Sequence, residues 1–430
     1  MIAKIKCNSK VPNGKIVVSG AKNAATILQS ASLISDEKIT LTNFPTELVD
    51  ADYKLKFIQN VGGLSRFDYA NELCITEPGE LSGDILETYE YPIRTTYLLV
   101  PGLLKRAGIA RIPYPGGCKI GNRGYDLHIM VWESMGAVVS EEESYIEVRA
   151  KILKGTEIDF PISTIGGTET ALICGSIAEG VTIIRNAYIS PEVENLISFL
   201  RDIGVNLKVI GNSYIEIRGS DYLRGTTFEI IPDRIEALTW IVYGILSGAN
   251  IIIEKVPFNY MEVPLIHIRN TGIDFFNNSS SIFITPDCVI GGIQPFEIAT
   301  GTYPGIISDM QPFFVLLGMK ANGKSRINDY RYPERINYLT ELSKFCNNGL
   351  NWEKGKITIN GPCKFEGASV SSTDLRGSMA LVLASLLADK GESIINGVEM
   401  ALRGYNRLQE KLSSLGISIE IINDEESYDS

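Results

Sequence analysis

The feature that most constrains the fold of this chain is a sixfold internal repeat. In each repeat a helix end is followed by a small-residue or glycine turn, a short strand and a turn that carries asparagine or proline. The six segments begin at Ser35, Arg106, Ala178, Leu246, Ala321 and Asp389. Their period of roughly 70 residues is too long for a solenoid and suits units that build domains. The repeat therefore predicts six α/β units.

A second series of glycines follows these turns, each by roughly 25 residues. The members are Gly62, Gly136, Gly204, Gly272, Gly349 and Gly416. Each one comes after an amphipathic helical stretch and before a strand, which predicts glycine in the left-handed position at the helix C-terminus. Alternating apolar patterns predict further strands at 213–218 and 356–360.

Six units in 430 residues divide into two lobes of three, because a single hydrophobic core rarely serves a chain of this length. The crossing between the lobes is predicted at 230–240, where Pro232 precedes a helix-forming run. The predicted domains are 22–231, and 1–21 together with 232–430. An active site is expected in a cleft between them.

The composition argues against several classes of protein. The net charge of −11 disfavours nucleic acid as the main partner. No stretch approaches 18 apolar residues and the N-terminal segment lacks an apolar signal core, so we expect a soluble, cytoplasmic protein without a membrane partner. Seven scattered cysteines and two histidines predict neither a disulfide framework nor a structural zinc site.

The most informative segment runs from 114 to 129 and contains Cys118. Four glycines surround this cysteine and allow the loop to approach a ligand closely. Lys119 and Arg123 flank the thiol, and nearby cations lower the pKa of a cysteine and favour the thiolate. The alternative is a surface loop with an incidental cysteine.

Four other residues have both a chemical and a structural interpretation. Lys22 stands at a predicted helix N-terminus, which is either an anion site or a capped helix with a solvated lysine. Arg376 and Arg403 can each bind a carboxylate or phosphate, although Asp-Leu-Arg at a helix start could equally be a local cap with an ion pair. Asp309 is either a helix cap or a general base.

Together these segments resemble the enolpyruvyl transferase family. The matching motifs are SGAKNAA (19–25), PGGCKIGNR (115–123), YDLHI (125–129), IGGTE (165–169), PDRIE (232–236), YPGIISDMQ (303–311), DLRGS (374–378) and RGY (403–405). They occur in the family's order over nearly the whole chain. The resemblance implies a two-lobed, inside-out α/β barrel with six βαβ-type repeats, three in each lobe.

The resemblance also implies a reaction. Phosphoenolpyruvate gives its enolpyruvyl group to the 3-hydroxyl of UDP-N-acetylglucosamine through a tetrahedral adduct, and phosphate is released. Cys118 matches the residue that protonates the methylene carbon, and fosfomycin is expected to alkylate it. Asp309 matches the residue that takes the proton of the sugar hydroxyl. No metal and no organic cofactor are implied.

Further residues are assigned to binding by the same resemblance. Phosphoenolpyruvate is expected to bind Lys22, Arg123, Arg376 and Arg403, of which Lys22, Arg123 and Arg403 also stabilise the adduct. The nucleotide sugar is expected to bind Asn23, Arg94, Arg123, Gly124, Tyr125, Asp126, Leu127, Thr164, Ile165, Gly166, Asp309 and Arg335. Within that set, 123–127 matches the uracil-binding stretch and 164–166 matches the diphosphate-binding backbone.

Three positions depart from the family pattern. Gly124 and Tyr125 stand where Pro-Val is common, and Leu402 stands where aspartate is common. The alternatives are therefore the same chemistry on another nucleotide, such as uridine monophosphate, or a non-catalytic paralogue that binds a nucleotide sugar. The sister family that acts on shikimate 3-phosphate fits less well, because its site has no cysteine in a PGGC loop.

Overall fold

The computed structural model describes residues 1–7, 11–83, 93–114, 124–346 and 348–423. The strands are β1 (Ile2–Lys6), β2 (Asn13–Val17), β3 (Ile39–Thr42), β4 (Leu64–Asp68), β5 (Leu73–Glu77), β6 (Ile109–Pro113), β7 (Val138–Glu141), β8 (Tyr145–Arg149), β9 (Glu157–Thr164), β10 (Val181–Ala187), β11 (Asn206–Ile210), β12 (Tyr214–Arg218), β13 (Thr226–Glu229), β14 (Asn250–Glu254), β15 (Phe276–Asn277), β16 (Ser281–Ile284), β17 (Glu297–Gly301), β18 (Ile306–Ile307), β19 (Lys324–Asp329), β20 (Leu350–Glu353), β21 (Lys356–Asn360), β22 (Ser369–Ser371), β23 (Glu392–Asn396) and β24 (Glu420–Ile422). The α-helices are α1 (Lys22–Ala31), α2 (Val49–Asn60), α3 (Val100–Ala107), α4 (Asp126–Ser134), α5 (Ile165–Ile177), α6 (Pro191–Asp202), α7 (Arg234–Ser247), α8 (Glu262–Asn270), α9 (Gln311–Met319), α10 (Asn337–Leu342), α11 (Leu375–Leu386), α12 (Glu399–Leu402) and α13 (Leu408–Ser414). Short 3-10 helices lie at Ser32–Ile34, Arg94–Leu99, Phe258–Tyr260, Pro286–Cys288, Ser308–Met310 and Ser343–Phe345.

Each predicted repeat segment contains one strand, and the six-unit prediction is confirmed. These repeat strands are β3, β6, β10, β14, β19 and β23. Five of them come shortly after a glycine with positive φ, a conformation that L side chains rarely adopt. These glycines are Gly108, Gly180, Gly248, Gly323 and Gly391.

The second series of glycines behaves as predicted at five of its six positions. Gly62, Gly136, Gly204, Gly272 and Gly416 have φ values between 75° and 106°. The prediction is wrong at Gly349, because the neighbouring Asn348 takes the positive φ of 66°. A Cβ atom on Gly349 would lie 2.3 Å from the sulfur of Cys363. Glycine is therefore required there by close packing.

The described residues form two compact units, one from 20–231 and the other from 1–19 with 232–430, called below the 20–231 unit and the 232–430 unit. In the 20–231 unit the sheets have the strand orders β13-β3-β5-β4, β6-β8-β7 and β11-β12-β10-β9. In the 232–430 unit they are β15-β16-β14-β2, β18-β17-β19-β21-β20 and β22-β23-β1-β24. Each of these sheets contains one repeat strand. Among the described residues, every repeat strand except β6 has one parallel and one antiparallel neighbour.

Helices occupy the core of each unit. Every residue of α9 and α11 is buried, and so are twelve of the fourteen residues of α7 and ten of the thirteen of α5. A helix that is buried all round belongs inside a core. The strands instead alternate buried and exposed side chains, as in β12 and β21, which is typical of a sheet with one solvated face. The inside-out α/β arrangement predicted for each lobe is therefore confirmed.

Candidate active site

The site in the 232–430 unit is centred on a carboxylate held by two arginines. Asp309 lies in the 3-10 helix before α9, and neither that helix nor α9 has a side-chain cap. Its Oδ1 lies 2.7 Å from Nη1 of Arg335, and its Oδ2 lies 3.6 Å from Nε of Arg376. The arginine side chains are 3% and 2% exposed, whereas that of Asp309 is 29% exposed. Helix capping is therefore not the role of Asp309, and its carboxylate can be reached by a ligand.

Asp374 is the second carboxylate that holds Arg335 in place. Its Oδ1 caps α11 by accepting hydrogen bonds from the backbone N–H groups of Arg376 (3.2 Å) and Gly377 (3.1 Å). The same oxygen lies 2.8 Å from Nη2 of Arg335. The Asp-Leu-Arg motif thus forms a cap, but its two charged side chains do not pair with each other. Arg335 instead bridges Asp309 and Asp374 with its two terminal nitrogens.

Arg376 connects the motif to the start of α7 and to the RGY turn. Its Nη2 lies 3.8 Å from Oδ2 of Asp233, the residue that caps α7. Its Nη1 donates a hydrogen bond of 3.5 Å to the carbonyl of Gly404, and a Cβ atom on that glycine would lie 2.2 Å from a methyl carbon of Leu375. Arg403, the residue before Gly404, is 8% exposed. The predicted Arg376 and Arg403 therefore lie on adjoining segments.

Charge balance keeps the arginines of this cluster ionised. Burial lowers the pKa of Arg335, but the carboxylates of Asp374 and Asp309 outweigh it, so the pKa is above its ordinary value. Burial also lowers the pKa of Arg376, but neighbouring groups that include Asp233 and Asp309 outweigh this effect, so its pKa too is above the ordinary value. Burial raises the pKa of Asp233 and Arg376 opposes that rise. The ionised guanidinium groups of Arg335 and Arg376 are fixed hydrogen-bond donors, and such donors can stabilise an anionic ligand or transition state.

In the 20–231 unit, Lys22 is the first residue of α1, as predicted. Its ammonium nitrogen lies 2.9 Å from Oδ2 of Asp50 on α2, and its side chain is 16% exposed. The helix has no side-chain cap and no acidic residue in its first turn. Lys22 is thus a mostly buried, paired lysine at an uncapped helix N-terminus, not a solvated one. Asn23 follows it in the same N-terminal turn and is partly buried.

Arg94 begins the 3-10 helix before α3 and reaches the predicted uracil stretch. Its Nη2 donates a hydrogen bond of 2.9 Å to the carbonyl of Gly124. The hydroxyl of Tyr125 donates to Glu141 at 2.9 Å, and the Tyr125 ring lies 5.5 Å from that of Tyr114. This hydrogen bond to a carboxylate, with burial, raises the pKa of Tyr125 to about 12. Tyr125 is therefore held in one orientation beside the backbone that Arg94 contacts.

The stretch also borders a cavity of about 570 Å³ within the 20–231 unit. It is lined by Gly124, Tyr125, Asp126, Ile129, Met130, Glu133, Ser134 and Glu141. Three carboxylates in this lining disfavour a phosphate, whereas the tyrosine ring suits a flat, uncharged group such as a nucleobase. Leu127, also predicted to bind, lies in the first turn of α4 and is partly buried.

The predicted diphosphate segment is a helix N-terminus. Thr164 caps α5, and its Oγ1 accepts a hydrogen bond of 3.4 Å from the backbone N–H of Gly167. Ile165 and Gly166 form the first turn, whose backbone N–H groups suit an anion. A Cβ atom on Gly166 would lie 2.9 Å from the imidazole of His128, so glycine is needed for this contact. The segment therefore has the polarity of an anion site, and Gly166 allows it to pack closely against His128.

His128 was not among the predicted site residues, although it lies in the YDLHI motif. Its Nδ1 is 2.7 Å from Oγ1 of Thr170, and its ring centroid is 3.5 Å from that of Tyr97. Burial, with the charge of Arg94, lowers the pKa of His128 to about 3. His128 is thus neutral at neutral pH and joins α4 to the start of α5.

Two predicted residues, Cys118 and Arg123, lie outside the described residues. Asp50 was missed because an acidic residue in the first turn of a helix is usually explained by the helix dipole. The described ranges contain no cluster of histidine, cysteine, aspartate or glutamate suited to a metal ion. No helix in those ranges is long and apolar enough to cross a membrane.

Comparison with known proteins gives concordant matches over nearly the whole chain. Residues 8–412 match the family model described as EPSP synthase (3-phosphoshikimate 1-carboxyvinyltransferase). The UDP-N-acetylglucosamine 1-carboxyvinyltransferase of a Nitratiruptor species is 35% identical over 422 residues, which cover 96% of this chain and 98% of that protein. UDP-N-acetylglucosamine 1-carboxyvinyltransferase 1 of Carboxydothermus hydrogenoformans is 35% identical over 415 residues, covering 96% and 97%.

Two solved structures share the fold. The enolpyruvyl transferase NikO from Streptomyces tendae superposes with a TM-score of 0.85 at 22% identity, covering 97% of this chain and 98% of that one. The EPSP synthase from Acinetobacter baumannii has a TM-score of 0.72 at 18% identity, covering 98% and 100%. At these identities the structures bear on the fold alone.

Proposed function

Because the chain belongs to the enolpyruvyl transferase family, we propose that it is a carboxyvinyltransferase. It transfers the enolpyruvyl group of phosphoenolpyruvate to the 3-hydroxyl of UDP-N-acetylglucosamine. The observation that carries the proposal is the full-length match, at 35% identity, to relatives named UDP-N-acetylglucosamine 1-carboxyvinyltransferase. The reaction serves peptidoglycan precursor synthesis, and we propose that it takes place in the cytoplasm.

Phosphoenolpyruvate is the more highly charged group to be bound. At neutral pH it carries roughly three negative charges. Cationic side chains that are already held in place can stabilise these charges without first having to move. We assign its phosphate to Lys22, Arg123 and Arg403, and its carboxylate to Arg376 with Arg403. The buried, ionised state of Arg376 supports this assignment, because a guanidinium offers a two-pronged hydrogen-bond donor to a carboxylate.

The chemical steps need one acid and one base. Asp309 accepts the proton of the sugar 3-hydroxyl while that oxygen bonds to C2 of phosphoenolpyruvate, and Cys118 gives a proton to C3. The adduct then returns a proton from C3 to the Cys118 thiolate, which restores the thiol, and phosphate leaves with the electron pair of its C–O bond. The partial exposure of Asp309, held by two arginines, supports its role.

The nucleotide sugar is assigned to two groups of residues. The sugar side comprises Asn23, Arg94, Asp309 and Arg335, and the nucleotide side comprises Arg123, Gly124, Tyr125, Asp126, Leu127, Thr164, Ile165 and Gly166. The exposed helix N-terminus at 164–166 supports a diphosphate, and the hydrogen bond from Arg94 to Gly124 links the two groups.

The second candidate is the same chemistry on another nucleotide, such as uridine monophosphate. The observation that favours it is Tyr125, an aromatic ring in the position where valine is common, fixed by Glu141 beside the cavity. A different surface for the base can change which nucleotide is preferred without changing the reacting groups.

Phosphate release with a panel of acceptors tests both candidates. The protein is mixed with phosphoenolpyruvate and UDP-N-acetylglucosamine, uridine monophosphate or shikimate 3-phosphate, and the product is identified by mass spectrometry. We expect phosphate release and an enolpyruvyl adduct with UDP-N-acetylglucosamine. Turnover with uridine monophosphate alone would replace the first candidate by the second, and absence of turnover with every acceptor would refute both.

A further inference from the structure

Lys54 is a lysine buried completely inside the 20–231 unit. It lies on α2, is 0% exposed, and lysine is almost never fully buried without a specific partner. Its Nζ donates hydrogen bonds to Oγ of Ser30 on α1 (2.9 Å) and to the carbonyl of Thr95 (2.5 Å). Thr95 directly follows Arg94 in the 3-10 helix. One ammonium group therefore connects three elements, which carry Lys22, Asp50 and Arg94.

Titratable groups on three helices, α1, α2 and α5, act on this ammonium. Asp50 lies one turn earlier on α2 and pairs with Lys22 of α1 at 2.9 Å. Glu169 on α5 and Glu192 on α6 are both 5% exposed. Burial lowers the pKa of Lys54 to about 7, Asp50 and Glu169 oppose this effect, and Lys22 adds to it. Burial raises the pKa of Glu169 to about 8, Glu192 adds to the rise, and Lys54 opposes it.

We propose that Lys54 is a positioning residue for the transfer reaction, which holds the segment bearing Arg94 in place against α1 and α2. The inference rests on the proposed function for its effect on catalysis, but not for the contacts themselves. Lys54 touches neither Arg94 nor Lys22, so it acts through the Thr95 carbonyl and through the charge that it places beside Asp50.

The direct test is Lys54→Met, which keeps the length of the side chain and removes both hydrogen bonds and the charge. Loss of a hydrogen bond made by a charged donor corresponds to about tenfold or more in an equilibrium constant. We therefore expect the KM for the nucleotide acceptor to rise about tenfold, with a smaller change in kcat. The control is Lys56→Met, because Lys56 lies on the same helix but is exposed, and its contacts are with Asp52 at 2.8 Å and the ring of Tyr53, both on α2. We expect the control to leave both constants unchanged.

A pH profile separates positioning from simple destabilisation. As the pH rises from 6 to 8.5, Lys54 loses its proton, so the wild-type KM for the acceptor should rise relative to that of Lys54→Met. A constant ratio between the two proteins across this range would overturn the part of the proposal that assigns an effect to the charge of Lys54, because a neutral amine can still donate both hydrogen bonds. If Lys54→Met fails to fold, Ser30→Ala removes one of the two acceptors of Lys54 with little loss of packing. No change in KM with Ser30→Ala would then overturn it.

Hydrogen–deuterium exchange makes the test independent of catalysis. We expect the backbone amides of 93–99 to exchange faster in Lys54→Met than in wild type or Lys56→Met. Faster exchange in a protein that turns over no acceptor would leave the positioning role intact and refute only the proposed function. Unchanged exchange at 93–99 would refute the positioning role whatever the activity.

Discussion

Removing the charge of Asp374, while keeping its shape, tests the arginine–carboxylate cluster of the 232–430 unit. In Asp374→Asn the amide oxygen can still cap α11, whereas the ion pair with Arg335 at 2.8 Å is lost. A hydrogen bond between charged groups contributes about 1.5–3 kcal/mol to stability. Breaking a buried pair completely would cost about 3–5 kcal/mol, but Arg335 keeps its contact with Asp309. We therefore expect a loss of about 2–3 kcal/mol in the free energy of unfolding.

The assay is urea unfolding followed by tryptophan fluorescence. Trp240 and Trp352 both belong to the 232–430 unit, so a Trp132→Phe background removes the third tryptophan and makes the signal report on that unit. Such a local reporter is needed because a chain with two units need not unfold in one step.

The matched control is Asp274→Asn. Asp274 also accepts a hydrogen bond of 2.8 Å from an arginine, Arg269, but its side chain is 90% exposed. Exposed pairs contribute about 0–1 kcal/mol, so this variant should lose little stability. If Asp374→Asn costs no more than Asp274→Asn, the buried cluster does not depend on its charges and the reasoning fails.

Four further outcomes are expected. Asp309→Asn should lower kcat about 10²–10⁴-fold, and a kcat close to wild type would remove Asp309 as the base. Cys118→Ser should lose turnover, and saturating fosfomycin should add its mass to the wild-type protein but not to this variant; an unmodified wild-type thiol would count against the assignment. Tyr125→Val should change the KM for the nucleotide by about two- to tenfold and leave the KM for phosphoenolpyruvate unchanged; equal effects on both would show that Tyr125 does not contact the base. Burial raises the pKa of Glu169 to about 8 in the folded protein, against 4.5 in the unfolded chain, so the folded state binds the proton more tightly and the free energy of unfolding should fall as the pH rises from 4.5 to 8. At about 1.4 kcal/mol for each pKa unit, this fall amounts to several kcal/mol, and Glu169→Gln should remove it. Denaturant melts that show the same pH dependence in the variant and the wild type would refute this.

Much of the fold could be predicted because its signals are local. Gly108 and Gly248 end helices in a left-handed conformation, which depends only on the backbone of each residue and its neighbours. The same reasoning was wrong at Gly349, where glycine is required by the sulfur of Cys363, fourteen residues away in the chain. Local patterns cannot reveal a requirement that arises from packing between distant segments.

The candidate site was only partly accessible from the sequence. The family motifs predicted Asp309 and Arg376 as site residues, but their partners could not be assigned, since Asp374 is nearer to Arg376 in the chain and yet pairs with Arg335. Lys54 carried no signal at all, because a lysine in an amphipathic helix is normally solvated. Its burial shows only when α1 and the 3-10 helix are packed against α2.

The sequence by itself determined the six-unit repeat, the family and the types of residue available for the chemistry, because each is recorded in short-range patterns and motif order. Only the tertiary structure decided which groups pair. Arg335 lies between Asp309 and Asp374, and Lys22 pairs with Asp50. Lys54 donates a hydrogen bond to the carbonyl of Thr95, next to Arg94 in the chain. The physical reason is that a buried charge requires a partner within a few ångströms, and the distance between two side chains is set by the packing of elements far apart in the chain.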